Sequence, residues 1–124
     1  MGVVHKRIQG ENGFQWENVA VYRYNSNEAT KQVLIGHDEG AHNFEIRYFT
    51  IPPRGFSSLD EHAHDHGVMV MQGRARVMLG ETFQEVREGD VIYIPSMERH
   101  QFENLTDDTF AFLCIIPPKP QTAK

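Results

Sequence analysis

Asp60, His62, His64 and His66 stand at every second position of the stretch LDEHAHDHGVMVMQG, which runs from Leu59 to Gly73. Side chains two apart on an extended strand share a face. Imidazoles and a carboxylate on one face are a donor set for a transition metal: neutral imidazole suits Zn, Fe, Ni or Cu, and a carboxylate oxygen extends the choice to Mn. Each ring must offer an unprotonated nitrogen, which histidine does near neutral pH. A single histidine in a polar loop reads as solvated; three in five residues at the mouth of an apolar strand read as ligands. His66 shares its parity with Val68 and Val70, so it faces inward if they do. His64 joins that face only if the backbone stays extended, and a turn within HAHDHG swings it outward. A fourth ring, His100 in SMERHQFEN, opens another strand beside a proline turn. Hairpin topology can bring both strand mouths to one end of a barrel. His5, His37 and His42 lie in polar segments and read as solvated, and Glu61 points away from Asp60 and His62.

The elements that must position these groups are short. NFEIRYFTI (43–51), HGVMVMQ (66–72), RARVML (74–79), ETFQEV (81–86), VIYI (91–94), a strand opened by RHQFEN and TFAFLCII (109–116) are β-branched or aromatic runs closed by Gly, Pro or Asp turns. VAVYRY and KQVLIG are shorter candidates, and Gly80-Glu81 reads as a hairpin tip. No long helical periodicity is present. Turns every eight to twelve residues argue for an all-β barrel or sandwich. VMVM and FAFLCII are apolar at nearly every step, which implies cover on both faces, one by a second sheet and the other by a subunit partner. A homodimer is the corresponding expectation. Residues 1–18 read as an N-terminal arm or an edge segment tied down by Trp16, 19–118 as the barrel and 119–124 as a tail.

The chain's 124 residues suit one domain. Its net charge of −5 comes without a Lys/Arg cluster, which argues against a nucleic-acid partner. No apolar segment approaches the roughly 20 residues that span a bilayer, and the N-terminal apolar stretch is too short for a signal peptide. A cytoplasmic protein is the expectation. Cys114 cannot form an internal disulfide and reads as a buried thiol.

GDVIYIPSMERHQFEN carries Gly89, Pro95, His100 and Asn104 in the spacing G-x5-P-x-G-x2-H-x3-N, with Met97 where that pattern has Gly. With the HxH-containing stretch before Gly73, the chain resembles the cupin superfamily, in particular the small single-domain cupins. The two motifs cover about Gly55 to Asn104. The resemblance implies an all-β, single-domain cupin-type double-stranded β-helix, or jelly-roll barrel, and a metal site. Counting back from Gly73, the family's third ligand falls on His66 and the earlier two on Asp60 and His62, although the family usually has His at the place of Asp60. A tighter turn would put His64 there instead. His62, His66 and His100 rank first as ligands, Asp60 next and His64 close behind. His64 could also act as an acid or base just outside the metal sphere. Gly73, Gly80 and Gly89 serve turns, and Asn104 fixes a strand end.

Such a site leaves one or two coordination positions open for water, dioxygen or substrate oxygens. The resemblance implies Fe, Mn, Ni or Zn and an enzyme of the dioxygenase type, with a non-redox isomerase or lyase and a non-catalytic binding or sensing module as alternatives. Val68, Val70, Ile92, Ile94 and Phe102 are candidates for an inner wall suited to a small, partly apolar molecule that chelates through oxygens. The wall offers little positive charge for a phosphate. Arg47 and Arg74 either reach a carboxylate or lie on the surface.

Overall fold

In a computed structural model that describes residues 2–9, 13–23 and 28–118, period-2 burial builds nearly everything. The strands are β1 (Arg7–Ile8), β2 (Gln15–Trp16), β3 (Tyr22–Arg23), β4 (Thr30–Ile35), β5 (Glu45–Ile51), β6 (His66–Gln72), β7 (Arg74–Leu79), β8 (Thr82–Arg87), β9 (Val91–Ile94), β10 (His100–Glu103) and β11 (Phe110–Ile116), with one short 3-10 turn at His37–Glu39. β9 shows the rule at its simplest. Ile92 and Ile94 are buried while Val91 and Tyr93 are 75% and 64% exposed, as alternation on a pleated strand requires.

A six-stranded sheet in the order β3-β4-β5-β11-β6-β9 faces a three-stranded sheet, β10-β7-β8, and the two close into a single-domain jelly-roll barrel. Ile51, Val68, Val70, Ile92, Ile94, Phe110, Phe112 and Cys114 from the larger sheet meet Ala75, Val77, Val86 and Phe102 from the smaller one. The Phe102 and Phe112 rings stack with centroids 4.5 Å apart. Burying each such side chain contributes about 1.5–3 kcal/mol, so these inward faces dominate the stability. The outward faces of β6 and β11 are only partly covered within one chain: Met69 and Ile115 remain 43% and 44% exposed.

Gly73 is the whole connection between β6 in one sheet and β7 in the other. Its φ is +80°, and a Cβ there would lie 2.5 Å from the carbonyl oxygen of Thr109. Gly73→Ala therefore meets both left-handed strain, about 1–2 kcal/mol, and a collision with backbone. We expect it to lower the denaturant midpoint by more than the strain alone.

The N-terminal segment lies on the outer face of β5. Trp16 meets Tyr48 edge-on at 5.1 Å, the Phe14 amide donates to the Tyr48 hydroxyl at 2.9 Å, and Gln32 donates through Nε2 to the Phe14 carbonyl at 2.9 Å. Trp16 packs this segment against β5. His5 departs from the expectation of a solvated ring: it is mostly buried and contacts Glu39 at 2.8 Å, because this same packing lays the segment against the 3-10 turn. His37 and His42 are exposed. Of VAVYRY, the described residues 19–23 contribute the Tyr22–Arg23 pairing with β4. The tail at 119–124 lies outside the described residues. Among the described residues no helix is long and apolar enough to cross a membrane.

Candidate metal centre

Backbone pairing brings the two histidine-bearing segments together. The Asp60 amide donates to the His100 carbonyl at 3.0 Å and the His100 amide to the Asp60 carbonyl at 2.9 Å, a closed antiparallel pair. Farther along, the Met97 amide donates to the His62 carbonyl at 2.5 Å and the Ser96 hydroxyl to the Ala63 carbonyl at 2.6 Å. The Tyr93 hydroxyl donates to Asp65 at 2.9 Å. The HAHDHG loop is thus fastened both to β9 and to the turn that precedes His100.

One ring nitrogen from each of His62, His66 and His100 lies within 4.8 Å of the others. Two nitrogens on one ion at about 2.1 Å each stand at most about 4.2 Å apart, so small side-chain rotations suffice to seat an ion. His100 and His66 are 6% exposed. The His100 Nδ1–H donates to the Glu98 carbonyl at 2.9 Å, which leaves Nε2 as the lone-pair nitrogen. His66 Nδ1 contacts the Cys114 sulfur at 3.1 Å, and its buried Nε2 has no hydrogen-bond partner. A buried polar nitrogen left unsatisfied costs about 1–3 kcal/mol; a metal ion shared with His62 and His100 removes that cost when Nδ1 carries the proton, so the residues fit the group. Burial, reinforced by His100, His64, His62 and Arg47, holds the His66 pKa down at about 3. The ring is therefore neutral at physiological pH, as a ligand must be.

The other two candidates flank this group. Asp60 Oδ2 is 3.8 Å from His62 Nε2, and its side chain is 40% exposed. His64 stacks on His62, with ring centroids 4.8 Å apart, and on His66 at 4.9 Å. A cavity of about 180 Å³ opens beside the histidines; Asp60, His62, His66 and His100 line it and His64 does not. Val68, Ile94, Phe102 and Phe112 supply its apolar wall. Val70 and Ile92, expected there, belong to the core and do not reach the cavity. The expectation of little positive charge fails, since Lys31 and Arg47 both line the cavity. Arg74 is exposed and 3.9 Å from Glu85. Cys114 is buried as expected but lies on the cavity wall between His66 and Arg47. Its parity with Phe110 and Phe112 held that signal; the apolar context of TFAFLCII hid it.

Residues 47–116 match the Cupin domain family. The chain is a cupin. It is 33% identical over 109 residues, 83% of this chain and 69% of the relative, to 1-methylthio-D-xylulose 5-phosphate methylsulfurylase of Rhodospirillum rubrum. Its fold matches a crystal structure of a cupin 2 conserved barrel domain protein from Rhodopseudomonas palustris at a TM-score of 0.80 and 33% identity, covering 96% of this chain and 84% of that one. The polyketide cyclase RemF from Streptomyces resistomycificus is similar at a TM-score of 0.75 and 27% identity, over 82% of this chain and 75% of that one.

In this cupin the family pattern also explains Met97. It occupies the position of a pattern glycine and has φ +67°, a conformation that costs a side-chain-bearing residue about 1–2 kcal/mol. Met97→Gly relieves that strain against a smaller entropic loss. We expect a gain of up to about 1 kcal/mol by chemical denaturation, with metal content unchanged. Asn104 fixes a strand end as expected: its side-chain amide donates to the carbonyls of Ile51, Pro52 and Asp108.

Proposed function

We propose that this cupin is a metal-dependent enzyme that holds a small organic molecule by its oxygens and carries out a non-redox lyase, isomerase or group-transfer reaction on it. The carrying observation is the buried, unpartnered Nε2 of His66 within reach of His62 and His100, beside a cavity. His62, His66 and His100 would hold a divalent ion, which supplies Lewis-acid polarisation of a carbonyl. Asp60 lines the cavity and is the carboxylate placed to accept a proton from the substrate. The apolar wall excludes water and orients the carbon skeleton. His64, outside the cavity, braces His62 and His66 by stacking.

The same histidine group could serve a dioxygenase. The non-redox reading is supported by two relatives above one quarter identity, one named a 1-methylthio-D-xylulose 5-phosphate methylsulfurylase and one a polyketide cyclase, neither name denoting an oxygenase. The test is turnover of a panel of hydroxyketones and ketose phosphates, 1-methylthio-D-xylulose 5-phosphate included, with an oxygen electrode in the cell. Turnover is expected to be the same under argon, lost on dialysis against a chelator and restored by a divalent metal. Asp60→Asn should keep its metal and lose about 100-fold or more in kcat. Oxygen uptake matching turnover would return the dioxygenase reading, and binding without turnover would make the protein a sensing module.

A further inference from the structure

Arg47 carries a charge that its surroundings do not answer. It sits on the inward face of β5, opposite Cys114 on β11, and is 8% exposed. Its Nε is buried without a hydrogen-bond partner. One terminal nitrogen donates only to the Cys114 sulfur at 3.6 Å, and the guanidinium carbon lies 5.2 Å from the Phe49 ring centroid. Arg54, Arg74 and Arg76, all exposed, each have a carboxylate oxygen within 4.0 Å. Among the described residues no carboxylate comes that near Arg47. A buried charge without a counterion is costly, and a guanidinium fork is suited to a planar or tetrahedral oxyanion.

The position of Arg47 says what would answer it. The cavity it lines is the one lined by His62, His66 and His100. Lys31, whose register partner is Phe49, lines it as well and adds positive charge. The cavity has a volume of about 180 Å³ and opens to solvent. A molecule of a few heavy atoms fits, with any longer part extending through the opening.

We propose that Arg47 anchors a carboxylate or phosphate group of the substrate, so that the cavity selects small oxyanions which also present an oxygen to the three histidines. This rests on the reading of the site as a substrate cavity and adds the substrate's charge class. Arg47 is thereby a specificity-determining residue.

Calorimetric titration of the full chain as purified, with metal content measured on the same sample, tests this. The probes are lactate, glycerol 3-phosphate and the neutral 1,2-propanediol. At least one anion should bind about tenfold or more tighter than the diol, the scale of a charge-assisted hydrogen bond. Whichever anion wins distinguishes carboxylate from phosphate. In Arg47→Gln that advantage should fall below about threefold while the metal is kept. Without ligand, Arg47→Gln should melt no lower than the parent, since it removes an unanswered buried charge; a saturating anion should raise the melting temperature of the parent alone. If Arg47→Gln does not fold, Arg47→Lys replaces it and should show an intermediate advantage, because a point charge lacks the fork. No preference for either anion in the parent, or a preference that survives in the variant, overturns the proposal. Anion preference in a protein that binds no metal would leave Arg47 in its role and overturn the metal reading instead.

Discussion

His100→Ala should weaken metal binding by more than about 100-fold and leave the protein folded. Removing only the outer partners of a metal-bound histidine costs about 10- to 100-fold in affinity, and here one of three imidazoles would go entirely. The fold should survive because His100 is held by its backbone. Its amide and carbonyl pair with Asp60, and β10 keeps its register on β7, with residue 100 opposite Leu79. The ring itself faces the cavity and makes one hydrogen bond, to the Glu98 carbonyl. Metal analysis of protein purified without an affinity tag, alongside far-ultraviolet circular dichroism, checks both halves. An unchanged metal content would remove His100 from the site, and an unfolded variant would show the ring to be structural.

Asn104→Ala should be among the most destabilising single substitutions, at about 3 kcal/mol or more, from a cost of about 1–3 kcal/mol for each buried group left unsatisfied. Asn104 is wholly buried. Its amide donates to the Ile51, Pro52 and Asp108 carbonyls at 3.1, 3.1 and 2.7 Å, and its oxygen accepts from the Thr106 amide and hydroxyl at 3.0 and 2.7 Å. One side chain thereby satisfies the end of β5 and the turn before β11, the two strands that form the middle of the larger sheet. A loss of this size lowers the melting temperature of a domain like this by about 10 °C or more. Asn104→Asp is expected to be no better, since a second carboxylate oxygen would face three carbonyls. A shift of only a few degrees in either variant would mean that the turn reorganises around the loss.

Most strands were legible in the sequence because alternation and turn residues are local. HGVMVMQ, RARVML and VIYI form strands over the expected residues, and the Gly89 to Asn104 spacing pointed to the family. VAVYRY shows the limit of such reading, since its short pairing depends on the neighbouring β4 edge. His5 shows another: a polar sequence context says nothing about a distant Glu39 that packing brings to 2.8 Å.

Period-2 patterning and motif spacing are properties of consecutive residues, and they were enough to make this an all-β chain with histidines at two strand mouths. Which neighbours share the cavity was settled by the packing of distant strands. It placed Asp60 on the cavity wall and His64 behind the other rings, turned Cys114 toward His66, and buried the Arg47 charge beside the histidines. Those outcomes depend on register across strands far apart in the chain, where a shift of one residue turns every side chain to the opposite face.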